Sequence, residues 1–255
     1  MSEPCAWAAD ASAVAHVLVA ALDDELVVSG GDGHHLTRAR RLRAGESVTA
    51  GDGLGGWRTY VVEEARRGSL TLRADGAPRC EPELTPRLGV AFALTKGDKP
   101  ETVVARLTEL GVDLLQPVVA HRSVVRWDAS RVDDALARLN RVAHEAAMQS
   151  RRARLPVVER PVDVGALAGR PGLVVADRQG TAPSDLPVPG PEGWLVVVGP
   201  EGGLDEEELA VLGGAPHLAV GPHVLRSETA AVAAAAALTG RRQALEGHGG
   251  WAKTP

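Results

Sequence analysis

Aromatic residues are scarce in this 255-residue chain: one Phe and one Tyr beside five Trp. The core must therefore come from Val, Leu and Ala, and hydrophobic residues at 44% are enough for one. Cysteine is almost as rare. Cys5 and Cys80 have no CxxC partner, which excludes a disulfide framework and a Cys-rich zinc site and fits a reducing, cytoplasmic compartment. No stretch reaches the roughly 18 apolar residues of a membrane span; the longest, Ala230–Leu238, is short and alanine-rich. The start, MSEPCAWAAD, has no basic region followed by an apolar one, so no signal peptide is read there. GxxxxGK[ST] does not occur, which removes a Walker-type phosphate binder. Histidines at chelating spacing are also missing, and the adjacent pair His34-His35 diverges on a helix, so no metal is expected.

An excess of positive charge is absent too, the formal net charge being -5. A nucleic-acid binder often carries a basic excess, but contact depends on the local face. Arginines do cluster locally, as Arg38, Arg40, Arg41 and Arg43 and again as Arg151, Arg152 and Arg154.

The pattern divides the chain in two. Residues 1 to about 80 hold short β-prone stretches at His16–Ala20, Glu25–Val28, Ser47–Ala50, Trp57–Glu63 and Ser69–Arg73, separated by Gly-rich turns. One helix is expected over His34–Leu42, and the whole suggests a small β-barrel. The proline-bearing segment 76–86 reads as a linker, so residues 81–255 form the second domain. There strands at Leu88–Leu94, Leu114–Val119, Leu173–Ala176, Trp194–Val198 and Leu218–Val220 alternate with helices at Lys99–Leu110 and Arg131–Gln149. Asp205, with Glu208 three residues on, predicts a capped helix through Leu212; Ser227 is expected to cap a final helix that Gly240 ends. This alternation predicts an α/β domain on a parallel sheet.

Two loops carry the chemistry. Gly199-Pro200-Glu201-Gly202-Gly203 follows the apolar strand Trp194–Val198, and Val220-Gly221-Pro222-His223-Val224-Leu225-Arg226-Ser227-Glu228-Thr229 follows the last strand. Parallel α/β sheets bind ligands at the carboxyl ends of their strands. Glycines there let a ligand approach the backbone, and two such loops can wall one crevice.

These loops, in this order, resemble the cofactor site of the SPOUT methyltransferases, in the branch that forms N3-methyluridine in 16S ribosomal RNA. The likeness continues upstream. Thr95-Lys96-Gly97-Asp98-Lys99 with Glu109-Leu110-Gly111-Val112 resembles the family's first strand–helix unit. Glu145–Arg152 resembles its long-helix motif, and His34-His35-Leu36 with Arg38 and Arg41 resembles its PUA-like RNA-binding barrel. Arg40, Met148 and Arg151 depart from the pattern. The ribose 2′-O-methylating branch is the alternative, but its Ser-Leu-Asn segment is replaced here by Leu225–Thr229. A non-catalytic RNA-binding protein is a second alternative.

The resemblance implies a trefoil-knotted C-terminal domain, S-adenosylmethionine as cofactor, the small ribosomal subunit as substrate and a homodimer. It implies cofactor contacts from Gly199, Pro200, Glu201, Gly202, Gly203, Val220, Gly221, Leu225, Arg226, Ser227 and Thr229. Arg38, Arg41, Lys96, Arg122, Arg151 and Arg152 are the expected RNA contacts. Uracil N3 must lose its proton for methylation. Arg226 suits the negative charge that then spreads to the uracil oxygens, while Glu201 or Glu228 could take the proton, and the residues leave that choice open.

Overall fold

A computed structural model describes residues 6–97 and 99–245. Residues 1–5, which include Cys5 and half of the segment read for a leader, and Asp98 lie outside the described residues. The described residues form two compact units: residues 6–83 with 144–155, and residues 84–143 with 156–245.

In the first unit the strands are β1 (Ala15–Leu18), β2 (Glu25–Val28), β3 (Ser47–Gly51), β4 (Gly56–Arg66), β5 (Ser69–Ala74) and β6 (Arg79–Cys80). They form a sheet in the order β1-β3-β4-β5-β2, with β6 beside β4; β1 and β3 are parallel and the other pairs antiparallel. Val17, Val28, Val48, Tyr60, Val62, Leu70 and Leu72, drawn from all five strands of that order, share one buried cluster, so the sheet wraps around its own interior. The expected helix over His34–Leu42 is displaced. Helix α1 spans Gly30–His34 and passes into a π-helical turn, His35–Ala39, while Arg41 takes a positive φ of 55° that ends the turn. The expected linker is partly built in: β6 pairs with Gly56 and Trp57, and the buried Glu81 accepts a hydrogen bond from the Ala153 N–H at 2.9 Å. Two paired residues are too few to show a period-2 pattern in sequence.

The second unit runs through β7 (Leu88–Ala93), α2 (Lys99–Glu109), β8 (Leu114–Val119), α3 (Val132–Ser150, whose residues from His144 count with the first unit), β9 (Val157–Val158) and β10 (Val162–Asp163). It continues with β11 (Leu173–Thr181), β12 (Trp194–Val198), α4 (Glu206–Val211), β13 (His217–Leu218) and α5 (Ser227–Leu245). All its strand pairs are parallel, in the order β10-β8-β7-β12-β11-β13, with β9 also on β8. Both β7 and β12 are buried throughout. Their alternate residues enter two different clusters: Val90, Phe92, Val196 and Val198 in one, Ala91, Ala93, Leu195 and Val197 in the other. The sheet is thus covered on both faces, which is why its strands are uniformly apolar. Helices α2, α3 and α5 contribute to the first cluster; Leu209 and Leu212, from α4 and its C-cap, join the second.

Asp205 caps α4 with the expected reciprocal bonds to Glu208. Two other expectations fail. α5 does not stop at Gly240; Arg242, two residues further on, is buried and bonded to Asp113 at 3.1 Å and to the Gly111 carbonyl at 3.0 Å. A glycine inside a helix costs only about 0.5–1 kcal/mol relative to alanine, less than these contacts retain. Ser227 is the first helical residue rather than a cap, and its hydroxyl donates to the Gly199 carbonyl at 2.9 Å.

Candidate functional site

A cavity of about 310 Å³ opens at the carboxyl ends of β11, β12 and β13. Its walls are the Val175–Arg178 part of β11, the loop after β12 and the loop after β13. Of the residues expected to hold a cofactor, Gly199, Pro200, Gly203, Val220, Gly221, Leu225 and Ser227 line it. At Gly203, which has a φ of 72°, and at Gly221, an added Cβ would meet no atom within 4 Å. Both line the cavity, so backbone rather than side chain forms the wall at these two positions. The Ser227–Gly199 hydrogen bond ties one loop to the other at the base of this space.

Glu201, Gly202, Arg226 and Thr229 belong to the same loops but do not line the cavity. Glu201 is exposed, with its carboxylate 3.5 Å from Lys99 Nζ. Lys99 also stands 3.2 Å from Glu228, so one ammonium joins carboxylates from both loops. Partial burial works against the Glu228 charge, but its own backbone N–H, then Lys99, then Arg226 outweigh this and hold its carboxyl below the usual range. Gly202 turns its carbonyl to Arg122, which donates at 2.7 Å. Arg226 is exposed at the start of α5.

Next to Arg122, His121 Nδ1 lies 2.7 Å from Asp205, whose hydrogen bond and charge raise the histidine above its ordinary value. His121, Asp205 and Glu208 form one close cluster. Its carboxylate oxygens already accept the capping N–H groups of α4 and the His121 backbone N–H.

The expected RNA contacts separate. Arg38 and Arg41 are exposed on the first unit; Lys96, after β7, and Arg122, after β8, are exposed on the second. Arg151 is partly buried, and its guanidinium donates to the carbonyls of Ala11 at 3.2 Å and Ala13 at 2.6 Å within the first unit. Arg152 is partly buried near Glu81; burial pushes that carboxyl up, and the Arg152 charge opposes the shift in part. Asp177, Arg178 and His223 line the cavity without having been singled out. The rule that picked the two loops, applied to the end of the strand at Leu173–Ala176, points directly at Asp177 and Arg178.

A parallel sheet whose glycine loops enclose a cavity at the strand ends is a frame for a small-molecule cofactor. The family description "RNA methyltransferase domain" matches residues 82–239, and "RNA methyltransferase PUA domain" matches residues 28–75. The chain belongs to this RNA methyltransferase family. Among its relatives is the Ribosomal RNA small subunit methyltransferase E of Mycobacterium tuberculosis, 38% identical over 83% of this chain and 85% of that protein. The protein of the same name from Bacillus subtilis is 27% identical over 86% of this chain and 91% of its own length. The crystal structure of the Neisseria gonorrhoeae Ribosomal RNA small subunit methyltransferase E, bound to S-adenosyl methionine, superimposes with a TM-score of 0.74. It is 25% identical and covers 91% of this chain and 97% of that one. The expected fold class, a SPOUT α/β domain with an N-terminal PUA-like unit, therefore stands.

Proposed function

We propose that this chain methylates N3 of a uridine in the 16S RNA of the small ribosomal subunit, with S-adenosylmethionine as methyl donor. The observation that carries this is the cavity at the carboxyl ends of three parallel strands, walled by two Gly-Pro loops. Its volume of about 310 Å³ falls within the range of small-molecule sites. The lining suits an adenosyl ligand: Val175, Val198, Leu218, Val220 and Leu225 are apolar, Asp177 supplies a carboxylate, and two glycines leave space a Cβ would fill. Gly199, Pro200, Gly203, Val220, Gly221, Leu225 and Ser227 hold the cofactor. When bound, S-adenosylmethionine supplies a methyl group activated by its sulfonium.

The remaining work falls to the protein. N3 is buried in a Watson–Crick pair, so the target uridine must be unstacked or in a loop. Arg226 offers a fixed fork of donors for the uracil oxygens as negative charge develops there. Glu201 or Glu228 takes the N3 proton, and Lys99 lies 3.5 Å from the first and 3.2 Å from the second. Residues 1–80 bind RNA and residues 81–255 carry the reaction. Arg38, Arg41, Lys96 and Arg122 meet phosphates, while Arg151 donates to the Ala11 and Ala13 carbonyls.

The active form is a homodimer built on the second domain. This is supported by the family and by α5, whose alanine-rich face is only partly covered within one chain. No described helix is long and apolar enough to cross a membrane, and a cytoplasmic setting fits the ribosomal substrate.

The test is transfer of a radiolabelled methyl group into small subunits lacking the modification, with EDTA present and the modified nucleotide mapped by mass. Label at N3 of one uridine is expected; label on a ribose or no label overturns the assignment. Arg226→Lys should slow single-turnover methylation by about 100-fold with cofactor affinity kept. Full recovery of rate at saturating cofactor and RNA would remove Arg226 from the chemistry.

A further inference from the structure

β11 does not end where its pairing with β12 ends. It continues to Thr181, and its pairing with β13 shifts register between Ala176 and Thr181. The intervening bulge presses against β13 so closely that a Cβ on Gly180 would lie within 2.6 Å of the His217 and Leu218 backbone. The bulge puts Asp177 and Arg178 on the cavity wall.

Both Asp177 oxygens are fixed. Oδ1 accepts the Gln179 N–H at 2.9 Å, and Oδ2 lies 2.8 Å from His217 Nδ1. His217 sits in β13, its carbonyl accepting the Thr181 hydroxyl at 3.1 Å. The Gln179 N–H first, and His217 after it, outweigh the partial burial and hold the Asp177 carboxyl below the usual range. It is the one carboxylate among the described cavity-lining residues.

We propose that Asp177 is the subsite for the two adjacent hydroxyls of a ribose. This rests on the reading that the cavity takes an adenosyl cofactor. Each carboxylate oxygen spends one lone pair on its internal partner and keeps another. The carboxylate plane is thereby set, leaving two acceptors at fixed spacing, which matches two O–H donors on neighbouring carbons. A cationic group is the poorer fit, because Arg178 shares the wall and His217 stands behind the carboxylate. The local charges largely offset one another, so the wall offers directed acceptors more than net negative potential. Hydroxyl-to-carboxylate bonds of this kind are charge-assisted and short.

Calorimetry on the full chain separates the possibilities, with S-adenosylmethionine, 5′-methylthioadenosine and the 2′-deoxy and 3′-deoxy forms of the latter as probes. Methylthioadenosine has the ribose but neither the sulfonium nor the amino-acid group. Wild-type protein should bind it roughly 10- to 100-fold more tightly than either deoxy form. Asp177→Asn should weaken methylthioadenosine and S-adenosylmethionine by the same factor and remove most of the discrimination against the deoxy forms. Equal binding of all three nucleosides by wild type would overturn the proposal. So would an Asp177→Asn loss seen with S-adenosylmethionine alone, since the carboxylate would then serve the cationic end. A wild-type chain that binds none of the probes would overturn the cofactor reading itself, and this subsite with it.

Discussion

Acid should loosen the first unit through a single histidine. His16 lies in β1, 3% exposed, with Nδ1 2.8 Å from the Thr49 hydroxyl. That hydroxyl donates onward to the Ala15 carbonyl at 3.4 Å, so the ring is a neutral Nδ1–H donor. Its Nε2 is buried without a hydrogen-bond partner among the described residues. A proton there would be a buried charge near Arg151. Burial first and the Arg151 charge second, opposed in part by the Arg152 backbone, lower the His16 pKa from 6.5 to about 4. The unfolded chain therefore takes up a proton near pH 6.5 that the folded chain refuses until about pH 4. Stability from this group is complete above pH 6.5 and declines as pH falls through that window. At about 1.36 kcal/mol per unit the decline comes to about 3 kcal/mol. Urea unfolding followed by the fluorescence of Trp57, buried in the same unit, measures it once Trp7, Trp127, Trp194 and Trp251 are replaced by phenylalanine. Glu81, pushed up by burial, titrates in the same unit, so the informative quantity is wild type minus His16→Asn. That difference should shrink by about 3 kcal/mol between pH 7 and pH 4. An equal loss in both proteins, or a His16 ring titrating near its ordinary value by NMR, would refute the reasoning.

Other perturbations reach the second unit. Arg242→Leu should destabilise it by about 3 kcal/mol or more, because the Asp113 carboxylate and the Gly111 carbonyl lose a buried partner; thermal melting with an Asp113→Asn double-mutant cycle checks the coupling. Gly221→Val should abolish S-adenosylmethionine binding by calorimetry while leaving the circular dichroism unchanged, since Gly221 lines the cavity and an added Cβ meets no protein atom within 4 Å. Ser227→Ala should lower unfolding stability by about 1 kcal/mol and weaken the cofactor several-fold, through loss of the bond to Gly199. His121 should titrate above its ordinary value by NMR and move back toward it in Asp205→Ser, which keeps a capping oxygen and removes the largest of the charges acting on it.

Strands β7 and β12 were legible because continuous apolar runs are what a sheet covered on both faces requires. The Asp205 capping box was legible because both its partners lie within four residues of each other. Where partners are far apart in sequence, the reading failed. The bonds from Arg151 to the Ala11 and Ala13 carbonyls span 140 and 138 residues, beyond any local pattern. Gly240 resembled a helix stop because nothing nearby announces that Arg242 reaches Asp113. In the site, the two Gly-Pro loops supplied most of the cavity, but Asp177 was passed over. Its strand seemed to end at the last apolar residue, and the bulge that carries the chain onward depends on β13, some 40 residues later.

The tie between Ser227 and Gly199 also has a bearing on the order in which the protein is made. Synthesis proceeds from the N-terminus, and segments can fold as they emerge. By the time Val198 leaves the ribosome, the first unit and the strands β7, β8, β11 and β12 are already available. The wall from Val220 to Ser227 is not, and neither is α5, which packs on β7, β12 and α2. A nascent chain thus completes its first unit before it owns a closed cofactor cavity. Messages truncated ahead of Ser227 would yield fragments that keep the first unit and lack both the second wall of the cavity and the helix that packs on β7 and β12.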